Sequence, residues 1–335
     1  MNRLLFVTIL AVMFGISYSA ISFAACNGTN VVICDTSPPN PDPIGVQQGS
    51  NPNDITVNML PGSAIDTSGD PIADLTGIDT DTGRITITVD NATIAAHDYC
   101  IENATNNNGG QVTLMNAHLS SVDNNCISLN SNSAPYILNI TDSVIETIDD
   151  TVLRTGNGDD ILNVTNSTIR VSTAAGNDFA ITTSSGNDTV NLENSLLLGG
   201  TSNQPVPTAI RLGDDDDILT IGNNVELRGL RPGDIEDFGI IDCDNGNDTI
   251  VFAMQVPTND LDEITAQIES KNPADDSIII NRLLYVWQDC EELVPQLQPG
   301  FISPVPTLSQ WGLIATAGLL GIIGFIVVRR RNLAS

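Results

Sequence analysis

GNGDDILNVTNSTIRVSTAAGNDFAIT, residues 156–182, decides the fold, because its pattern returns along the central two-thirds of the chain. Its first marker is a pair of apolar residues one apart, Leu162 and Val164. The pair recurs as Ile87/Val89, Val112/Leu114, Leu138/Ile140, Val190/Leu192, Leu219/Ile221 and Ile250/Phe252. Its second marker is a short later strand, DFAITT, matched by DYCIEN, NNCISL, DTVLRT, PTAIRL and DFGIID. The third residues of these strands are Cys100, Cys126, Val152, Ala180, Ala209 and Gly239, at steps of 26, 26, 28, 29 and 30 residues. A turn marker, Asp160, Asp188, Asp217 and Asp248, steps by 28, 29 and 31. The three columns drift together, so insertions fall in loops and the rungs stay whole. An internal period of this size means a solenoid or an array.

Each rung alternates apolar and polar residues, the period of a strand with one buried face. One coil cannot bury its own apolar face; stacked coils share a core and pair edge to edge at about 4.8 Å. The coil length suits a single-stranded parallel β-helix, an all-β fold, better than a propeller blade of roughly 40–45 residues. Right-handed winding is the expectation for β-crossovers. A column of Asn91, Asn116, Asp142, Asn166, Asn194 and Asn223 follows the first strand and is expected to form an amide ladder along the axis.

Of the 335 residues 4% are aromatic, which suits a narrow, ladder-packed core. The net charge is −29, and four of the 12 basic residues (Arg3 and Arg329–Arg331) lie at the termini. Eight basic residues therefore face 41 acidic ones in the remainder, a balance of about −33. Such a surface repels nucleic acid, whose binding depends on Lys and Arg neutralising phosphate. It also repels anionic polysaccharide unless a divalent cation bridges the two, and it keeps an exported protein soluble.

Residues 1–25 read as a signal peptide, with Arg3 ahead of the apolar run Leu4–Ile16 and a small-x-small site at Ser22-Phe23-Ala24. Residues 26–52 read as an N-terminal cap and linker, with Val31–Ile33 as a capping strand. Residues 53–255 carry the β-helix, and 256–294 a C-terminal cap of helix plus strand. There Thr258 or Asn259 is the expected N-cap of a helix whose Leu261, Ile264 and Ile268 share one face over the last coil. SIIINRLLYVW then reads as one strand ending at Cys290. Residues 295–310 form a linker with a motif, 311–328 an apolar run long enough to approach a bilayer's thickness, and 329–335 a basic tail kept cytoplasmic.

Val305-Pro306-Thr307-Leu308-Ser309-Gln310-Trp311-Gly312, the apolar run and the stop Arg329-Arg330-Arg331 resemble the C-terminal signal of IPTL-CTERM proteins. Their pattern is IPTLxxWG with the same helix and basic end; Val305 in place of Ile is the one departure. The resemblance covers residues 305–335. It implies export from a Gram-negative cell, then processing and surface attachment by an exosortase-like enzyme. It implies nothing about the solenoid's activity.

Six cysteines in an exported chain point to disulfides. Cys100 and Cys126 occupy one column of neighbouring coils, about 5 Å apart at Cα and inside disulfide range; two stacked buried thiols are the alternative. Cys26–Cys34 would staple the N-terminal cap and Cys243–Cys290 the C-terminal one. None has CxxC spacing or histidine company, against zinc or a redox centre.

GNGDD, SGND, GDDDD and NGND precede four strands and stack Asp160, Asp188, Asp217 and Asp248 in one file, beside Asp159, Asn187, Asp216 and Asn247. The expectation is a solvated Asp/Asn edge, with calcium as the alternative. The turns resemble part of the RTX calcium repeat, with Gly156, Gly158, Asp160 and Leu162 the nearest fit. RTX motifs return every nine residues and these once per coil, so the paired-turn calcium geometry does not carry over.

A parallel β-helix is also the frame of pectin-lyase-like lyases and hydrolases, so catalysis must be argued from a site. Glycoside hydrolysis needs two carboxyls, one with a raised pKa. Asp149-Asp150 near Arg154 is the best candidate, with Asp123 one coil earlier and Asp178 one coil later; a turn is the plain alternative. His97 and His118 fall on different sides of the coil. The NTD, GHG and RIK elements of polygalacturonases are missing. The expectation is a non-enzymatic adhesin, spacer or envelope component meeting surface polysaccharide or another cell. A polysaccharide lyase or glycoside hydrolase is the alternative.

Overall fold

A computed structural model of the protein describes residues 26–300 apart from 38–41, 43–44, 48–52, 70–75, 81–82, 104–107, 131–132, 149, 174–177, 201–206 and 232–234. The segment 1–25 read as a signal peptide, the sorting motif, the apolar run 311–328, the basic stop and Asp149 lie outside the described residues. Among the described residues the chain winds as a β-solenoid of three large sheets, parallel but for antiparallel strands at their ends, with a two-stranded parallel sheet of Gln255–Pro257 and Gln298–Gly300 beside them. Each regular coil gives one strand to each sheet in turn.

The inward residues stack in register. In the first sheet Ile87, Val112, Leu138, Leu162, Val190, Leu219 and Ile250 form one buried file. In the second, Ile94, Leu119, Ile145, Ile169, Leu197 and Leu227 form another. In the third, Ile101, Ile127, Leu153, Ile181, Ile210 and Ile241 do the same. All belong to one continuous core, and burying each such side chain contributes roughly 1.5–3 kcal/mol.

The asparagine column does a different job from the one its sequence suggests. Asn91, Asn116, Asp142, Asn166, Asn194 and Asn224 have φ between 44° and 51°, so the column is the left-handed corner between the first and second sheets. Asn and Asp tolerate that conformation where a branched residue does not. In the last coil the corner is Asn224, one residue later than Asn223. The amide ladder lies on the strand before the corner: Asn163 Nδ2 donates to Asn139 Oδ1 and Asn191 Nδ2 to Asn163 Oδ1, both at 2.9 Å. Within the corner column one amide pair forms, Asn224 Nδ2 to Asn194 Oδ1. After the corner come buried Ala92, Ala117, Ser143, Ser167 and Ser195. Each serine Oγ accepts the N–H of the equivalent residue one coil earlier, at 3.1–3.2 Å.

The outward face of the first sheet has two central columns. One runs Val31, Thr56, Thr86, Gln111, Ile137, Ile161, Thr189, Ile218, Thr249. The other runs Ile33, Asn58, Thr88, Thr113, Asn139, Asn163, Asn191, Thr220, Val251. Neither column contains a charge until Glu292 ends the first. The outward faces of the other sheets do carry charges: Glu146 beside Arg170 in the second, Asp79, Glu102, Arg154, Arg211 and Asp242 in the third.

Parallel pairing extends beyond 53–255. Val31–Cys34 already pairs with Ile55–Met59, and Cys26–Gly28 folds back antiparallel over it as the N-terminal cover. At the other end Glu292–Pro295 pairs with Thr249–Phe252. In the helix Leu261–Glu269 the N-cap position falls on Asp260 and not on Thr258 or Asn259, and the Asp260 side chain makes no capping hydrogen bond. Ile268 is buried and Leu261 and Ile264 pack on the core. The segment read as a single strand is a hairpin: Asp275–Ile280 pairs antiparallel with Leu283–Gln288. Asn281 and Arg282 both have positive φ at its turn, which suits a two-residue mirror-image turn. The hairpin sets Tyr285 and Trp287 edge-on to Phe252 at 5.8 and 6.2 Å, closing the core with aromatics.

Candidate functional site

The acidic turn is the first candidate, and its placement corrects the expectation of a solvated edge. Asp160, Asp188, Asp217 and Asp248 are each at most 1% exposed. Each Oδ1 accepts the backbone N–H one coil earlier: Tyr136, Asp160, Asp188 and Asp217 donate at 2.7–2.8 Å. The file ends where Glu291 accepts the N–H of Asp248. Each Oδ2 is buried with no hydrogen-bond partner. Burial pushes these carboxyls up from 3.8, to about 7 for Asp160, about 8 for Asp188, about 9 for Asp217 and about 7 for Asp248.

Beside the file, Asp159, Asn187, Asp216 and Asn247 are exposed and repeat the device, with Asn187, Asp216 and Asn247 each donating its N–H one coil back. Alternating Asp with Asn separates the charges by two coils. Gly186 makes the turn possible: its φ is 116° and a Cβ there would lie 2.5 Å from the oxygen of Gly158. Calcium needs several oxygens converging on a point; here each Oδ1 is engaged by an N–H group along the axis and each Oδ2 has no hydrogen-bond partner. Among the described residues no group of three or more His, Cys, Asp or Glu converges as a metal site.

The second candidate is a groove of about 470 Å³ on the outward face of the third sheet. Arg154, Thr182 and Arg211 stack along its floor, with the two arginines two rungs apart, on the order of 10 Å. Asp150, Thr151 and Phe179 form one wall; Ser184, Asp214 and Asp244 form the other. Arg211 pairs with Asp244 and lies 5.9 Å from the Phe179 ring. Asp150 accepts the Thr151 N–H at 2.6 Å. Beside Arg211, Asp242 is raised, burial outweighing the hydrogen bond from Gln288 and the arginine's charge.

The predicted constellation is thus divided. Asp150 and Arg154 share the groove. Asp178 is buried and Asp123 lies elsewhere, its N–H bonded to the oxygen of His97. Phe179, Arg211, Asp214 and Asp244 were not anticipated, because they come from three successive coils. The column joining Arg154, Thr182 and Arg211 was the available signal. The histidines sit at opposite ends of second-sheet strands: His97 follows Thr93–Ala96, and His118 opens His118–Ser121, 3.4 Å from Glu146. Burial acts against Glu146, but Arg170 and His118 hold its carboxyl below the usual value.

A larger cleft, about 930 Å³, opens where the C-terminal hairpin meets the last corners, lined by Asn194, Asn224, Gln255, Ile279, Asn281 and Arg282 among others.

The six cysteines form Cys26–Cys34, Cys100–Cys126 and Cys243–Cys290, with Cα separations of 3.9, 4.7 and 5.1 Å. They close the N-terminal cover, join two coils, and tie the hairpin's end to the last coil.

Among the described residues no helix is long and apolar enough to cross a membrane. Residues 303–332 match the IPTL-CTERM motif, and the match spans that tail alone. No curated protein and no solved structure matches the chain. No pectin-lyase-like family is identified for the solenoid. The β-solenoid is therefore established by its own register and not by likeness.

Proposed function

We propose that the chain is an exported surface protein, processed at its tail by an exosortase-like enzyme of a Gram-negative cell and displaying the β-helix as a non-enzymatic adhesin or envelope component. The sorting motif at 303–332 supports the export, processing and display in this reading. It stands beyond a solenoid covered at both ends and closed by three disulfides, a build suited to an oxidising exterior. The strongly acidic balance keeps such a body soluble. The test is fractionation of cells expressing the full chain with and without the processing enzyme. Trp311→Ala or loss of Arg329–Arg331 is expected to hold the chain back from the surface and abolish attachment. Unchanged display and attachment in both refutes the reading.

The groove favours a second reading, a glycan-cleaving enzyme, because Asp150 lines one wall and Asp214 and Asp244 the other, over a floor that holds Arg154. Screening the protein on acidic and neutral polysaccharides tests it: released oligosaccharide that disappears in Asp150→Ala selects this reading.

A further inference from the structure

The outward face of the first sheet asks what it could meet. Its two central columns are uncharged over nine rungs from Val31 to Thr249 and run on the order of 40 Å at strand spacing, while the column at the strand ends carries Asp90 and Glu193. In a chain of net charge −29, whose other two sheets display arginines and carboxylates, these two columns are free of charge over that length. Its flanks are acidic: exposed Asp54, Asp159 and Asp216 on one side, Asp90 and Glu193 on the other. Ile137, Ile161 and Ile218 stand 39–44% exposed along one column. The neighbouring column is threonine and asparagine.

We propose that this stripe binds an uncharged, extended polysaccharide laid along the solenoid axis. The proposal rests on the surface-display reading for where the ligand is met, and supplies that reading with a partner class. Charge decides first. A polyanion is repelled by both flanks, and a polycation would settle on the flanks and not on the stripe. Shape decides second. Two columns about 7 Å apart make a strip too narrow for a second copy of the chain: roughly 500–600 Å² against about 800 Å² per partner in a stable interface. A face-to-face copy would also oppose acidic flank to acidic flank.

Hydrogen-bond chemistry decides third. An extended peptide gains most at a sheet edge, where backbone groups are free, and a face offers side chains only. Threonine hydroxyls and asparagine amides both donate and accept, as sugar hydroxyls do. The Asn139–Asn163–Asn191 ladder holds its amides in one orientation, with one N–H of Asn163 and one of Asn191 left over to donate outward. That fixed array lowers the ordering cost of binding. The exposed isoleucines offer methyl groups to the apolar faces of sugar rings.

The test uses the purified full-length chain in detergent on cellulose, chitin, xyloglucan and dextran, with alginate as the polyanion. The expected result is retention on at least one uncharged polymer, unchanged in about 1 M NaCl because no charges are involved, and none on alginate. Asn163→Asp and, separately, Ile137→Lys lower retention about tenfold or more, while Asp150→Ala in the groove leaves it intact. Circular dichroism confirms that each variant folds, and two variants in different coils guard against one that does not. The proposal is overturned if no uncharged polymer retains the protein, or if both charged variants bind like the parent. It is equally overturned if sedimentation shows a dimer that the same variants dissociate. Failure here leaves display and attachment of cells untouched, so the two readings fall separately.

Discussion

Replacing Asp188 by Asn tests the interior carboxyl file. Asn keeps the oxygen that accepts the Asp160 N–H and removes the titrating group. Asp188 is raised from 3.8 to about 8, chiefly by burial. Its charged neighbours push the same way, since Asp159, Asp160, Asp215, Asp216, Asp244 and Glu291 around the file are all acidic. A carboxyl raised in the folded state holds its proton there while the unfolded chain has released it. The resulting stabilisation is complete below about pH 4 and is lost as pH rises through the folded value. Each held proton is worth about 1.4 kcal/mol per pH unit. Between pH 5 and 7 the parent should therefore lose roughly 3 kcal/mol more than Asp188→Asn. The four groups titrate as a set, so the difference between proteins is informative and neither curve alone is. Urea unfolding followed by circular dichroism at pH 5, 6, 7 and 8 measures it. Parallel pH dependences for parent and variant would refute the reasoning, because they would mean that the file is ionised and hydrated.

The left-handed corner predicts that Asn166→Val destabilises the fold by about 1–2 kcal/mol while Asn166→Gly is close to neutral, as read from urea midpoints. Removing both sulfurs of Cys100–Cys126 should cost about 2–4 kcal/mol, visible as a lower melting temperature that reducing agent no longer changes further at that bond. Because the Oδ1 atoms of the interior file already accept N–H groups, a chelator should leave melting unchanged; a fall of several degrees would restore calcium. Tyr285→Phe loses the hydroxyl's hydrogen bond to the oxygen of Val225 and leaves that buried acceptor unpaired, costing about 1–3 kcal/mol and loosening amide exchange at the C-terminal end first.

Much of the solenoid was legible because periodicity survives in a stack. A strand of Leu162 and Val164 has the same neighbours above and below, so identity repeats in sequence wherever it repeats in space. The same logic made Cys100 and Cys126 vertical neighbours and so a candidate pair, which the structure closes as a disulfide. The sign of exposure was not legible. Asp160 and Asp159 are adjacent in an acidic turn, yet one faces the core and the other solvent. Composition treats them alike; only the backbone's direction at the turn separates them. The corner column was misread for a related reason, since asparagine serves both ladders and left-handed corners. The turn Asn281-Arg282 lacks the glycine that marks most hairpins, so two strands passed for one.

The groove shows the limit from the other side. Arg154 could be named from sequence, but Phe179, Arg211, Asp214 and Asp244 gather beside it only after three further coils are laid down. The sequence by itself determined the repeat and the sorting tail, because each is written in local spacing or in a contiguous motif; it offered candidate cysteine pairs, and the structure closed them as disulfides. Tertiary structure alone decided which carboxyls are buried and which side chains line the groove. It also decided which two columns of the stack are left uncharged. Those depend on where each side chain points once coils lie on one another, and a strand's two faces differ by a single residue step.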